Sequence, residues 1–217
     1  MLLVKSQWNH LMETTKFILI GCGGYARVIF SIVEAQKAAT IVWLFDTDSR
    51  VKTLGGIEDF GAYTADTFPN SLAIIAIGNN QIREKLAYQI THDFGVLVHP
   101  TASIDRITSI DEGTVVHHAV IQRGTAVGKH VIINTSSSID HDCKLEDFVH
   151  IAPNATLCGG VNVGKGTLIG VGSVVLPQVK IGANVTLGAG TIVAKNIPDG
   201  SMVIGNPGKI IDSNGAI

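Results

Sequence analysis

Aliphatic residues recur at every sixth position through most of the second half of the chain. The run is unbroken over twelve positions, which are Val127, Ile133, Ile139, Leu145, Ile151, Leu157, Val163, Ile169, Val175, Ile181, Leu187 and Val193. A helix does not explain this pattern, because its apolar face needs steps of three and four residues. Repetition at a short fixed period is typical of a solenoid, in which each coil covers its neighbour.

A second set of positions, four residues after the first, is small or β-branched, as at Val131, Ser137 and Cys143. Glycine often follows the aliphatic residue, as in Ile169-Gly170 and Leu187-Gly188, where a tight corner leaves little room for a side chain. These features predict three six-residue sides per coil, hence a triangular prism of about four regular coils. The periodicity does not determine the hand of the coil.

The period is looser before Val127, although Ile104, Ile110 and Val116 keep the step of six. We therefore expect one or two irregular coils that begin near Val98. Pro198 is expected to end the array.

The first half alternates strand-like and helix-like segments. Short apolar runs at 17–20, 41–45 and 72–77 predict strands, and residues 28–37 and 81–90 have helical spacing. In the second helix this spacing places Ile82, Leu86 and Ile90 on one face. A βαβαβ order of this kind predicts a small parallel sheet.

Composition excludes several classes of protein. Hydrophobic residues make up 46% of the chain, charged residues 16%, and the formal net charge is -2 without a basic run, so nucleic acid is not an expected partner. No segment approaches the ~20 apolar residues that span a bilayer. Cys22, Cys143 and Cys158 lack CxxC spacing, which predicts neither a disulfide framework nor a zinc site and favours a cytoplasmic protein.

A glycine-rich turn follows the first predicted strand. Gly21, Gly23 and Ala26 match a dinucleotide-binding pattern, and Asp46 follows the second strand. Glycines in such a turn let backbone N–H groups approach phosphates at a helix N-terminus. Taken alone, the turn would indicate an NAD-dependent oxidoreductase, but the remainder of the chain is repeat and offers no hydride-transfer domain.

Several segments of the repeat resemble a known family. Residues 134–143 (NTSSSIDHDC), 148–151 (FVHI), 158–160 (CGG) and 203–209 (VIGNPGK) are similar to motifs of the hexapeptide-repeat acyltransferases. With the glycine-rich first half, the resemblance covers residues ~16 to 211. It is to the subfamily of sialic-acid O-acetyltransferases and nucleotide-amino-sugar N-acetyltransferases.

The resemblance implies an α/β plus all-β fold, with a small Rossmann-like βαβαβ domain followed by a left-handed parallel β-helix. It also implies acetyl-CoA as cosubstrate and a homotrimer with CoA grooves between neighbouring prisms. The expected division is a 1–15 extension, a 16–97 sugar-nucleotide-binding domain, a 98–211 acetyl-CoA-binding β-helix and a 212–217 tail.

Acetyl transfer needs a base that takes a proton from the attacking group, and a histidine with a carboxylate neighbour suits that task. The resemblance assigns these roles to His141 and Asp142. It places acetyl-CoA at His150, Gly159, Val171 and Ala189, with the Gly159 N–H holding the thioester oxygen. A solvated histidine, a histidine bonded to backbone and a simple corner glycine are the alternatives for His141, His150 and Gly159.

In the resembling family the glycine turn holds the diphosphate of a sugar nucleotide, which assigns substrate binding to Gly23, Gly24, Tyr25, Asp46 and Thr47. Tyr25 departs from the family, whose N-acetyltransferases often have histidine there. We favour N-acetylation of a nucleotide-linked 4-amino-deoxysugar in glycan biosynthesis, with O-acetylation of sialic acid or a related sugar as the alternative. An oxidoreductase and a non-catalytic scaffold are less favoured.

The other histidines are expected to be surface or packing residues. His117 and His118 are adjacent and so point to opposite faces of a strand, which argues against a metal pair. No metal is predicted, and a covalent acetyl-cysteine is disfavoured against direct transfer.

Overall fold

The computed structural model describes residues 14–47, 53–58 and 61–211. The predicted C-terminal tail and all but the last two residues of the predicted N-terminal extension lie outside these ranges. Among the described residues, no helix is both long and apolar enough to cross a membrane.

The first half forms a small sheet flanked by helices. Its elements are β1 (Thr15–Ile20), α1 (Gly24–Ala35), β2 (Ala39–Phe45), β3 (Thr53–Leu54), β4 (Ile57–Glu58), β5 (Leu72–Ile75) and α2 (Asn80–Ala87). Strand β1 lies between β2 and β5 and runs parallel to both, which confirms the predicted parallel sheet. Helix α1 buries Ala26, Ile29, Ile32 and Val33 against it, because these residues share one helical face.

The predicted apolar face of α2 is partly wrong. Ile82 is 51% exposed, and the residue that α2 buries is Arg83, at 1% exposure. The guanidinium donates hydrogen bonds to backbone carbonyls of the second half, so this helix docks through a satisfied polar group.

The second half is a parallel β-helix of short strands. They are β6 (Leu97–Val98), β7 (Ser103–Ile104), β8 (Ser109–Ile110), β9 (Val115–Val116), β10 (Val120–Ile121), β11 (Ala126–Val127), β12 (Ile132–Ile133), β13 (Ser138–Ile139), β14 (Lys144–Leu145), β15 (His150–Ile151), β16 (Thr156–Leu157), β17 (Asn162–Val163), β18 (Leu168–Ile169), β19 (Val174–Val175), β20 (Lys180–Ile181), β21 (Thr186–Leu187), β22 (Ile192–Val193), β23 (Met202–Ile204) and β24 (Lys209–Ile211).

These strands form the three faces of the predicted prism. Face I contains β7, β10, β13, β16, β19 and β22; face II contains β8, β11, β14, β17 and β20; face III contains β6, β9, β12, β15, β18, β21, β23 and β24. The chain passes from face I to II to III, so the prism has a I/II, a II/III and a III/I corner. The twelve aliphatic residues of the repeat all point inward and form one continuous core.

One coil is a residue short. Ile121 pairs with Ile139, 18 residues later, whereas Ile104 pairs with Ile121, only 17 residues later. The missing residue falls at the III/I corner between Val116 and Val120, where the Ala119 N–H bonds back to the His117 carbonyl at 2.7 Å.

Pro198 does not end the array, contrary to expectation. Strand β23 still pairs in parallel with β21 and buries Val203 in the core. Proline is tolerated because it lies in a corner, where its missing N–H removes no ladder hydrogen bond. Strand β24 then turns back antiparallel to β23 and covers that edge.

The first half packs on the II/III corner and face III. Arg83 donates to the His130 and Phe148 carbonyls, both at 2.9 Å, and the Asn80 side chain donates to the Gly166 carbonyl at 2.8 Å. Phe94 packs edge-on against the His130 ring, with centroids 4.4 Å apart. The glycine turn is thereby held beside face III.

Candidate active site

His141 and Asp142 form a pair at the I/II corner. The His141 Nδ1 lies 2.9 Å from Asp142 Oδ2, and both side chains are exposed. This hydrogen bond, together with the nearby charge of Asp140, raises the pKa of His141 above its usual value. Because Nδ1–H donates to Asp142, the neutral ring has its lone pair on Nε2, where it can accept a proton.

Gly159 lies one coil above His141 on the same corner. A Cβ at Gly159 would lie 2.6 Å from His141 Nε2, so the ring fits against this residue only because it has no side chain. The next amide, of Gly160, donates to the His141 carbonyl at 2.9 Å. Among the described residues, the Gly159 N–H has no acceptor, which leaves it free to bind an oxyanion beside the base.

The neighbouring Cys143 is a poor nucleophile. Cys143 is buried, and its Sγ lies 3.3 Å from the Cys158 carbonyl oxygen. Burial raises the pKa of Cys143 to about 11, so the reactive thiolate is scarce at neutral pH. This favours direct transfer.

His150 lies on face III, under the first half of the chain. Its Nδ1 is 3.3 Å from the Gly78 carbonyl, which also accepts from Arg83 at 3.2 Å. Since a carbonyl only accepts, Nδ1 carries the proton and Nε2 is an acceptor, buried and without a partner in the described part of the chain. Burial, and then the charge of Arg83, lower the pKa of His150 to about 4, so the ring is neutral at physiological pH.

Val171 and Ala189 occupy the III/I corner in consecutive coils. The Gly190 N–H donates to the Val171 carbonyl at 2.8 Å, and both predicted residues are exposed. They therefore line an open strip of small side chains along this corner.

The glycine turn is closed by Asp46. Gly21 has φ of 103° and donates to the Phe45 carbonyl, and Asp46 Oδ2 accepts the Cys22 N–H at 2.6 Å. Gly23 and Gly24 are exposed at the start of α1, and no side chain caps its N-terminus. This arrangement directs amide dipoles at an anion.

Tyr25 points the other way from that opening. Its hydroxyl is buried without a hydrogen-bond partner among the described residues, and its ring lies 5.9 Å from that of His117, between centroids. Burial raises the pKa of Tyr25 well above its usual value, so it is an un-ionised donor. Thr47 is exposed, two residues after the end of β2.

The predicted residues of the β-helix thus divide into a group at the I/II corner and a group away from it. His141, Asp142 and Gly159 meet at the I/II corner, whereas His150 lies on face III and Val171 and Ala189 on the III/I corner. Sequence reasoning missed Gly78, whose carbonyl accepts from His150, and Arg83, which donates to that carbonyl, because both lie far from His150 along the chain. Across the described residues, no group of His, Cys, Asp and Glu could hold a metal ion.

Comparisons with known proteins agree with this architecture. Residues 16–90 match the PglD N-terminal domain, and residues 160–195 match the bacterial transferase hexapeptide repeat. A UDP-N-acetylbacillosamine N-acetyltransferase of Bacillus subtilis is 37% identical over 45% of this chain, and the aligned region spans 49% of that enzyme. A GDP-perosamine N-acetyltransferase of Escherichia coli O157:H7 is 32% identical over 72% of this chain and 76% of the enzyme.

Two solved structures are similar over most of the chain. The acetyltransferase domain of PglB from Neisseria gonorrhoeae is 33% identical with a TM-score of 0.85, over 90% of this chain and 99% of the domain. PerB from Caulobacter crescentus, solved with CoA and GDP-perosamine, is 32% identical with a TM-score of 0.86, over 91% of this chain and 97% of PerB. The chain belongs to the hexapeptide-repeat acyltransferases with a left-handed β-helix, in the subfamily of nucleotide-amino-sugar N-acetyltransferases.

Proposed function

We propose that this chain transfers an acetyl group from acetyl-CoA to the amino group of a nucleotide-linked 4-amino-deoxysugar. The observation that carries the proposal is the His141–Asp142 pair, whose free Nε2 lies against Gly159. The relatives with similar domains act on nucleotide-linked amino sugars, which supports the same substrate class here.

His141 acts as the general base. As the amine nitrogen attacks the thioester carbon, Nε2 takes a proton from the amine and Asp142 stabilises the imidazolium that forms. The carbon–sulfur bond then breaks, and the leaving thiolate takes the proton back from His141. The Gly159 N–H supports the thioester oxygen while it carries negative charge.

The two domains divide the binding between them. The β-helix, residues 98–211, binds acetyl-CoA along the strip of Val171 and Ala189, with His150 nearby. Residues 16–97 bind the nucleotide, with the diphosphate at Gly23 and Gly24 and the nucleoside near Thr47. Asp46 acts by holding the turn, and Tyr25 closes its inner side.

The site is completed in a homotrimer. Each side of the prism has six residues at a rise of ~3.3 Å, and the bend at the corner shortens that length. Adjacent corners of one prism therefore lie about 15–20 Å apart. A second copy that sets its III/I corner against the I/II corner brings Val171 and His141 together. A heterologous contact of this kind can close into a ring of identical copies, and a ring of three is the assembly proposed here. The proposed location of this assembly is the cytoplasm.

The test is a CoA-release assay against a panel of UDP-, GDP- and dTDP-linked 4-amino sugars, with CMP-sialic acid and free sialic acid included. Turnover of an amino-sugar nucleotide supports the proposal. If His141→Ala loses that turnover and the exposed control Glu34→Gln keeps it, the activity belongs to the site at the I/II corner. Turnover of sialic acid alone would move the acceptor from nitrogen to oxygen. Stabilisation by NAD in a thermal-shift assay, without stabilisation by acetyl-CoA, would overturn the acetyltransferase function.

A further inference from the structure

Two histidines and a threonine form a hydrogen-bonded cluster at the N-terminal end of the III/I corner. The His99 and His118 rings are in contact, with centroids 3.7 Å apart and their planes tilted by 39°. The Thr101 hydroxyl joins them, 2.9 Å from His99 Nδ1 and 2.5 Å from His118 Nδ1. His99 is buried, whereas His118 and Thr101 are exposed.

The contacts determine where the protons lie. The Thr101 backbone N–H donates to His99 Nδ1 at 3.2 Å, so that nitrogen is an acceptor and cannot donate to the hydroxyl. The Thr101 O–H therefore donates to His99, and His118 Nδ1–H donates to the Thr101 oxygen. Burial, and then His118, lower the pKa of His99, which keeps it in the neutral form that this chain of bonds needs. With its proton on Nδ1, the His118 imidazole has its lone pair on Nε2.

The cluster continues the strip that is proposed to hold acetyl-CoA. Backbone hydrogen bonds connect this corner coil by coil: Gly190 N–H to Val171, Gly172 N–H to Pro153, Asn154 N–H to Thr135 and Ser136 N–H to His118. His118 thus lies three coils, or about 14 Å, from Val171.

The same corner also contacts the first turn of α1, which follows the glycine turn. His117, which precedes His118, lies 5.9 Å from Tyr25, between ring centroids. The coil that is one residue short has its tight turn here, with the bond from Ala119 to His117. A local departure from the repeat, here in the residues that flank His118, is typical of a functional site.

We propose that His118, oriented by Thr101 and His99, binds the acceptor and accepts a hydrogen bond from a hydroxyl of its sugar. The inference rests on the proposed function, in which acetyl-CoA occupies the C-terminal end of the corner and the nucleotide occupies the turn beside Tyr25. The sugar then lies between them, over His118. The amine must face His141, so the group that reaches His118 is a hydroxyl.

The test is steady-state kinetics of the full-length protein with the best amino-sugar nucleotide, for wild type, His118→Ala, Thr101→Val and Thr101→Ser. Loss of one hydrogen bond predicts an acceptor KM roughly tenfold higher in His118→Ala, with the acetyl-CoA KM unchanged. Thr101→Val should show a smaller rise, because the ring remains but its orienting partner is lost. Thr101→Ser keeps the hydroxyl and should behave as wild type, and Glu34→Gln is the exposed control.

Acceptors that lack single sugar hydroxyls separate binding from folding. The deoxy analogue that lacks the hydroxyl bonded to His118 should have a roughly tenfold higher KM than the full acceptor with the wild type. With His118→Ala, the analogue and the full acceptor should have the same KM. An unchanged acceptor KM in His118→Ala, or an equal rise in the KM values of both substrates, would overturn the inference about His118. Wild-type turnover of the amino-sugar nucleotide would still support the proposed function in that case. Absence of wild-type turnover with every amino-sugar nucleotide would overturn both.

Discussion

The pKa of His141, the proposed base at the I/II corner, is determined by neighbouring charge rather than by burial. His141 and Asp142 are both exposed, so their ion pair adds little to folding stability. What the pair does control is the protonation of the ring, because the Asp142 carboxylate accepts the Nδ1–H and favours the protonated form. The neighbouring Asp140 acts in the same direction through its charge.

Replacement Asp142→Asn is expected to move the acidic limb of the kcat/KM profile to lower pH. A general base works only when unprotonated, so activity rises as the pH passes the pKa of His141. Asp142 raises that pKa, and asparagine keeps an oxygen acceptor but removes the charge, so the limb must move downwards. The plateau should also fall, by roughly tenfold, because the weaker base is less effective.

Asp140→Asn is the matched control for this profile. The charge of Asp140 also raises the pKa of His141, but less than the hydrogen bond to Asp142 does. Asp140→Asn should therefore move the acidic limb to lower pH by a smaller amount than Asp142→Asn. An acidic limb that stays in place in Asp142→Asn would contradict the assignment of the base.

Gly159→Ala is expected to reduce kcat by roughly a hundredfold with little loss of stability. The added Cβ would lie 2.6 Å from His141 Nε2, so the ring must swing away from the Gly159 N–H. The backbone at Gly159 does not need a positive φ, which lets alanine fit without strain. Kinetics and urea unfolding of the same sample separate the two effects, and full activity would argue against an oxyanion role for this corner.

The coils are the elements in which sequence pattern and structure agree most closely. Each inward aliphatic residue stacks on its equivalents in the coils before and after, as Ile169 does between Ile151 and Leu187. This register follows from local pattern alone, because neighbouring coils repeat one another. Hence the prism, its three faces and its core could be predicted residue by residue.

The features that sequence could not predict depend on contacts between distant segments. Arg83 lies outside the predicted apolar face of α2, which indicates a solvated side chain. In the structure it is buried and donates to carbonyls 47 and 65 residues away along the chain. Asp46 is predicted to bind substrate, and the structure adds a contact that the sequence does not indicate, since its carboxylate accepts the Cys22 N–H. The pairing of His118 with Thr101 arises because consecutive coils place them side by side, across the coil that is a residue short.

Truncation of one inward residue should destabilise the whole prism. Ile169 is fully buried, so Ile169→Ala is expected to lower the free energy of unfolding by about 2–5 kcal/mol. Lys180 is exposed on face II, away from the corners proposed to meet in the trimer, and Lys180→Ala should change the free energy of unfolding by less than about 0.5 kcal/mol. Urea unfolding at one protein concentration measures both, and equal losses would contradict the inward and outward assignment.

At the scale of the whole molecule, the separation of the two groups of site residues allows a test of the trimer. His141 lies on the I/II corner and Val171 on the III/I corner, so a site shared between copies takes one residue from each of two chains. His141→Ala removes the base, and Val171→Trp fills the strip proposed for acetyl-CoA. Each variant alone should therefore be nearly inactive.

Trimers assembled from an equal mixture of these two variants should recover activity. In a cyclic trimer each site needs an intact base from one copy and an intact strip from the next, so random mixing restores about a quarter of the sites. The mixture is unfolded and refolded together, and its acetyl transfer is compared with that of the variants refolded separately and then combined. Recovery only in the co-refolded sample places the site between copies. Equal, low activity in both samples, with trimers present by light scattering, would confine the site to one chain.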